Sequence, residues 1–199
     1  MSERPKESWG SGDAYELWVG RWSRIVGEAF VDWRAIPPRQ TWGDVGCGTG
    51  ALAGCILGRS DPAGVLGVDR SEAYVCEARN RVGDARARFE VGDACALPWT
   101  SATCDVTVSG LVLNFVPDSD AMVHEMVRVT RPGGRVAAYV WDYAGGMQMI
   151  RHFWDVALEL NRDDAQLDQA ERFPLCQPDP LEQLFRRVGL NSVSVRAID

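Results

Sequence analysis

The segment 44–50, DVGCGTG, sets three glycines at alternate positions, the first of them two residues after a carboxylate. Glycines 46, 48 and 50 allow a tight turn and a close approach to a ligand with no Cβ in between. The amides of a helix beginning at Ala51 would be free to meet a polar group. With Ala51 the string also satisfies the loose dinucleotide fingerprint G-x-G-x-x-G/A, so alone it does not separate one nucleotide cofactor from another. Two further acids narrow the chemistry. Asp69 closes GVLGVD nineteen residues after Gly50, where a carboxylate accepts both hydroxyls of a ribose. Asp93 closes ARFEVGD, where a carboxylate accepts from the exocyclic amine of adenine. Asp44 stands where it would face an ammonium group. Three acids at neighbouring strand ends suit a ligand that combines adenosine, an amino group and a sulfonium better than one carrying a pyrophosphate.

These residues need a frame, and the pattern supplies one. Short apolar runs read as strands (TWGDVG, VLGVD, ARFEVGD, CDVTVSG, GGRVAAYVWD) and alternate with helical stretches (ALAGCIL, SEAYVCEARNRV capped by Ser71, AMVHEMVRV). That alternation predicts a parallel sheet with helices on both faces. Upstream, residues 1–12 form a polar Gly/Ser-rich tail. Tyr15, Trp18, Val19, Trp22, Ile25, Val26, Ala29, Phe30 and Trp33 then recur at helical spacing until Pro37-Pro38 stops them, in one helix or in two broken at Gly20. Trp18 and Trp22 are expected on the helix's core face. Downstream come a helix in MQMIRHFWDVALEL, a helix in LEQLFRRVGL, and a closing strand in NSVSVRAID.

Composition narrows the class. The 199 residues are 46% apolar with a net charge of −7, which fits one packed domain and argues against a nucleic-acid grip. The longest uncharged apolar runs, such as 106–116, fall far short of a membrane span. The expected setting is cytoplasmic. Cys47, Cys55, Cys76, Cys95, Cys104 and Cys176 form no C-x-x-C pair and have two histidines for company. They read as packing residues, and no metal site is expected.

Five strings now carry a resemblance: DVGCGTG, GVDRSEAYV, VGDACALPW, CDVTVSGLVLNFVPD and HEMVRVTRPGGRVAAYVWD, covering 41–142 in order. The chain resembles the class I S-adenosylmethionine-dependent methyltransferases of the ubiquinone/menaquinone-biosynthesis-like kind (methyltransferase type 11). The resemblance implies a Rossmann-like, doubly wound α/β sheet, mostly parallel, with S-adenosyl-L-methionine at the carboxyl ends of its first four strands. It places Asp69 and Arg70 at the ribose and Asp93 with Ala94 at the adenine. Gly46, Cys47, Gly48 and Thr49, after Asp44, would lie along the methionine moiety, with Ser109 and Leu111 opposite. The segment YELWVGRWS looks like a stretch that closes over the cofactor in a subgroup of these enzymes. Tyr15 and Arg21 are therefore candidates for the methionine carboxylate, which a guanidinium pairs bidentately. The domain reading is a tail over 1–12, then one methyltransferase domain over 13–199: cap helices 13–36, cofactor core 40–142 and acceptor side 143–199.

Methyl transfer from a sulfonium is an in-line displacement that depends chiefly on orientation and exclusion of water. No catalytic residue is assigned, and a general base is needed only if the acceptor must lose a proton. Asn114 with Phe115, Trp141 with Asp142, Tyr143 and His152 are candidates to line the acceptor site, whereas His124 reads as a solvated residue. The acceptor is expected to be small and aromatic or hydrophobic. Two other readings stay open: a nicotinamide-dependent oxidoreductase, although Lys6 is the chain's only lysine and a Tyr-x-x-x-Lys set is absent, and a non-catalytic cofactor-binding module. On the family's pattern NSVSVRAID would be the sixth strand, and the seventh, antiparallel strand is missing. The expectation is a chain shortened at its C-terminus, or a sheet edge filled by another segment or a partner chain, which leaves an oligomer through that edge open.

Overall fold

The computed structural model describes residues 21–198, with Arg21 described in its backbone alone. Helix α1 (Arg21–Arg34) leads into β1 (Thr41–Val45), α2 (Ala51–Arg59), β2 (Gly64–Asp69), α3 (Glu72–Val82), β3 (Ala87–Val91) and β4 (Cys104–Gly110). Helix α4 (Ser119–Val129), β5 (Thr130–Tyr139), α5 (Gln148–Leu160), the short α6 (Gln169–Arg172) and α7 (Pro178–Arg187) follow. The described strands form one sheet in the order β3-β2-β1-β4-β5, with every pairing parallel. The order reverses between β1 and β4. In an open parallel sheet that switch point opens a crevice beyond the carboxyl ends of the strands, where Asp44, Asp69 and the glycine loop lie.

Strand alternation divides the core in two. Trp42, Val65, Val106 and Val108 meet Phe30, Leu52, Ile56 and Val75 of α1, α2 and α3 on one side. Val45, Val68 and Cys104 meet Met122, Val123, Met126, Leu184 and Phe185 of α4 and α7 on the other. Helix α3 starts where expected, with the Ser71 hydroxyl accepting from the Tyr74 amide at 3.3 Å, and Asp118 caps α4 through the Ala121 amide at 2.9 Å.

Three expectations change. The strand read as starting at Gly133 begins instead at Thr130 and ends at Tyr139: a register shift between Cys104 and Val106 absorbs the extra residues, with Gly133 at φ 78°. On α1, Trp22 is 51% exposed and does not join the core. The face turned to α2 is made of small residues, Ser23 and Gly27, and a Cβ on Gly27 would stand 3.2 Å from Cys55 Sγ. Close helix approach there rotates Trp22 and Ile25 outward. Tyr15, Trp18, the break at Gly20 and the tail over 1–12 lie outside the described residues.

The third change concerns NSVSVRAID, which forms no strand over 191–198. Val193 and Val195 pack on the α4 side of the sheet and Ile198 on the α1 side. The Arg196 guanidinium stacks 4.7 Å from the Trp33 ring centroid. The segment therefore wraps from one face to the other. Alternation alone does not make a strand; a strand also needs a hydrogen-bonding neighbour in register.

Candidate functional site

The turn after β1 forms the floor of the candidate site. Gly46, Gly48 and Gly50 all take left-handed conformations (φ 76°, 52° and 85°). The Gly46 and Cys47 amides donate to the Val68 carbonyl at 2.8 and 2.9 Å, tying the loop to β2. The Gly48 amide donates to Asp69 Oδ2 at 3.0 Å, and Asp69 Oδ1 accepts from the Ser71 amide at 2.9 Å. Asp69 thus positions the loop and keeps lone pairs free for hydroxyl donors. A Cβ on Gly46 would strike Val112 at 2.7 Å, whereas one on Gly48 would meet nothing within 4 Å. Gly48 faces open space, a cradle that a side chain would fill.

Asp44, near the end of β1 and two residues before Gly46, is 1% exposed, and neither oxygen has a well-formed hydrogen-bond partner. Burial, then the charge of Asp69, raises its carboxyl to about 7; the nearby Ala53 amide opposes this in part. An uncompensated buried carboxylate invites a cation. Cys47 beside it is no nucleophile, because burial and the two acids push its thiol far up. Burial likewise raises Cys55 and Cys104 to about 11 and Cys176 to about 12.

Asp93 sits on the exposed loop after β3, and its Oδ1 accepts from the Cys95 amide at 2.8 Å. Ala94 is partly buried next to it. The loop is braced from α4. Glu125 Oε2 accepts from the Leu97 amide at 2.7 Å, and Arg128 donates to the Trp99 carbonyl at 2.8 Å and the Leu97 carbonyl at 3.1 Å. His124 on the same turn is exposed, as expected, whereas the ties of Glu125 and Arg128 reach partners 28 to 31 residues away and leave no local trace in the sequence.

At the end of β4, Ser109 is fully buried and its hydroxyl has no partner. Leu111 takes a left-handed φ of 61°, held by its amide on the Tyr139 carbonyl at 2.8 Å. Backbone strain in a bulky residue marks a position that its surroundings over-determine. Asn114 lies on the following short turn (Leu113–Phe115), and both its amide atoms are buried without a partner. Beside it, Phe115 packs edge-on against Phe173 (5.1 Å), and Phe173 lies 5.8 Å from Tyr143. Phe173 was missed from sequence, since it sits in a polar stretch with no periodic signal.

The other candidates are placed as follows. Trp141 is half-buried against the α1-side core. Asp142 is taken up by its own loop, accepting from the Ala144 and Gly145 amides at 3.1 and 2.8 Å. Thr49 is buried in the glycine loop, and Arg70 is exposed beside Asp69. His152 does not join the site: its side chain is 80% exposed on the outer side of α5, with Asp155 as its nearest acid at 4.0 Å. The helix turn that buries Trp154 turns His152 to solvent. Tyr15 lies outside the described residues, as does the Arg21 side chain.

Residues 43–138 match the methyltransferase-domain family. The chain is 37% identical over 131 residues to the ubiquinone/menaquinone biosynthesis C-methyltransferase UbiE of Cereibacter sphaeroides, covering 63% of this chain and 49% of that protein. It thus spans about half that relative's length. Against the demethylmenaquinone methyltransferase of Halalkalibacterium halodurans it is 28% identical over 167 residues, covering 77% of this chain and 68% of that one. In fold it resembles a Methanococcus maripaludis protein described as an S-adenosyl-L-methionine-dependent methyltransferase, with a TM-score of 0.66 at 20% identity over 96% of this chain and 90% of that one.

Proposed function

The chain belongs to the class I S-adenosylmethionine-dependent methyltransferases of the ubiquinone/menaquinone-biosynthesis-like kind, and from that premise we propose that it methylates a small aromatic or hydrophobic acceptor. The observation that carries this reading is the pairing of an unpartnered buried Asp44 with the open cradle at Gly48. A cationic, amine-bearing donor fits that pair, and a pyrophosphate would be repelled by it. When bound, S-adenosylmethionine supplies an activated methyl group on a sulfonium.

The chain's own residues then have these roles. Asp44 holds negative charge below the donor site, and Asp69 accepts from ribose hydroxyls while fixing Gly48. Asp93 and Ala94 read the adenine edge from the braced loop. Gly46, Cys47, Gly48 and Thr49 flank the methionine part, with Ser109 and Leu111 opposite; Tyr15 and Arg21 remain proposals for its carboxylate. On the acceptor side, the buried Asn114 amide offers a donor and an acceptor to a ring hydroxyl. Phe115, Tyr143 and Phe173 give an aromatic wall that excludes water.

The acceptor we infer is a hydroquinone- or phenol-like ring, supported by that wall and by the quinone chemistry in the Cereibacter relative's name. The domain reading of 13–199, with 40–142 holding the donor and 143–199 shaping the acceptor side, belongs to the same proposal. Among the described residues no helix is long and apolar enough to cross a membrane. The free cysteines suit the reducing cytoplasm, where we place the chain.

Calorimetric titration with S-adenosylmethionine and with NAD, followed by a methyl-transfer assay on a panel of hydroquinones and phenols, tests the reading. Heat with NAD and none with the sulfonium overturns it in favour of an oxidoreductase. Donor binding without turnover on any acceptor points to a binding module.

A further inference from the structure

Among the described residues, the side-chain hydrogen bonds and ion pair that fasten helix α5 (Gln148–Leu160) lie on one face. On that inner face the Trp154 indole donates to Gln169, and Arg151 forms a two-armed ion pair with Asp168 at 2.9 and 2.7 Å. The outer face carries Met149, Phe153, Val156 and Leu160, exposed by 75, 63, 57 and 83%. Soluble surfaces rarely expose so continuous an apolar stripe without a use for it. Their spacing of four, three and four residues is the seam of a two-helix coiled coil. Phe153 is preordered by an edge contact of 5.2 Å with the Trp154 ring.

The polar groups beside the seam decide what fits it. His152 and Glu159 lie seven residues apart on the same flank, and both are exposed. When two such helices pair antiparallel, this flank of one faces the same flank of the other. His152 of one copy then meets Glu159 of the second, and each Met149 meets the second copy's Leu160, with Phe153 against Val156. A parallel pairing would set the polar flank against Ile150 and Ala157 and leave it unmatched. A bilayer fits poorly, since the flanking acids Asp155 and Glu159 and the net charge of −7 would be repelled by anionic lipid.

We propose that the outer face of α5 is a self-association surface on which a second copy of this chain docks antiparallel through Met149, Phe153, Val156 and Leu160. The inference does not depend on the donor or the acceptor. Two such stripes remove on the order of 1,000 Å² from water, the lower edge of a specific interface. A reversible dimer in the micromolar range is therefore expected.

Sedimentation equilibrium of the full chain between about 1 and 100 µM tests this. The expected result is a monomer–dimer equilibrium that Phe153→Glu weakens at least tenfold while helicity by circular dichroism is unchanged, because the side chain is already exposed. His152→Glu weakens the dimer by setting like charges together, and adding Glu159→Arg restores it. A chain that stays monomeric throughout overturns the proposal. A dimer indifferent to Phe153→Glu overturns it equally.

Discussion

Glu125 and Arg128, one turn apart on α4, grip each other through both arms at 2.6 and 2.7 Å and spend their remaining hydrogen bonds on the backbone of Leu97 and Trp99. The pair connects a helix behind the sheet to the loop that carries Asp93, so the adenine contact proposed for Asp93 is only as ordered as this brace. Arg128→Ala should lower stability by about 1–2 kcal/mol. It should also weaken S-adenosylmethionine binding about tenfold by calorimetry, and Arg128→Lys, which loses the fork geometry, should restore it only in part.

With Asp44 in its proposed place beneath the donor, donor binding should depend on pH. Burial, then Asp69, raises its carboxyl from 3.8 to about 7. Between those values the folded chain holds a proton that the unfolded chain has released, so this group's contribution to stability falls as pH rises from about 4 to about 7. A cationic donor favours the ionised form. Affinity for S-adenosylmethionine should therefore rise between about pH 6 and 8, with proton release on binding. Asp44→Asn should flatten that profile and weaken binding while leaving the chain at least as stable at pH 8. A pH-independent affinity in the parent chain would contradict the assignment.

Gly46 and Gly48 separate a structural glycine from a ligand glycine. Gly46→Ala must fit a Cβ at 2.7 Å from Val112 in a left-handed conformation, which should cost about 2–4 kcal/mol in denaturant unfolding. Gly48→Ala meets no neighbour and should cost about 1 kcal/mol, yet abolish detectable donor binding by filling the cradle. Equal effects of the two substitutions on binding and on stability would remove the distinction.

Arg151 and Asp168 hold α5 against the segment that carries Phe173. Asp168 has only 6% of its side chain exposed. Against the penalty of burial, its hydrogen bonds from Arg151 and the Ala170 amide hold its carboxyl below the usual range. A lowered carboxyl stabilises the fold above its unfolded value and loses that contribution as pH falls through the folded one, so the pair should open in acid, below about pH 4. Arg151→Ala should cost about 2 kcal/mol at neutral pH and raise KM for the acceptor while leaving the donor Kd unchanged, because Phe173 belongs to the proposed acceptor wall alone.

Much of the proposed donor site was legible in the chain. DVGCGTG, Asp69 and Asp93 are local patterns, each written within one strand end and the turn that follows it, and alternation of strand and helix runs places them at one edge of a parallel sheet. The brace on the Asp93 loop and the Phe173 wall were not legible, because their partners are distant in sequence and no periodicity marks them. His152 illustrates the opposite failure: its place in the chain put it near the acceptor pocket, but the helical phase set by Trp154 and Arg151 turns it outward.

By itself, then, the sequence determined the strand–helix alternation, the glycine turn and the acids that end the strands, since each depends on the backbone preferences and side chains of a few adjacent residues. Tertiary structure alone decided the rest. Asp44 has its carboxyl raised to about 7 chiefly because the folded core removes water from it. Trp22 faces outward because Ser23 and Gly27 let α1 approach α2 closely. The 191–198 segment alternates like a strand yet wraps the sheet edge, because pairing requires a neighbour that no local pattern can supply.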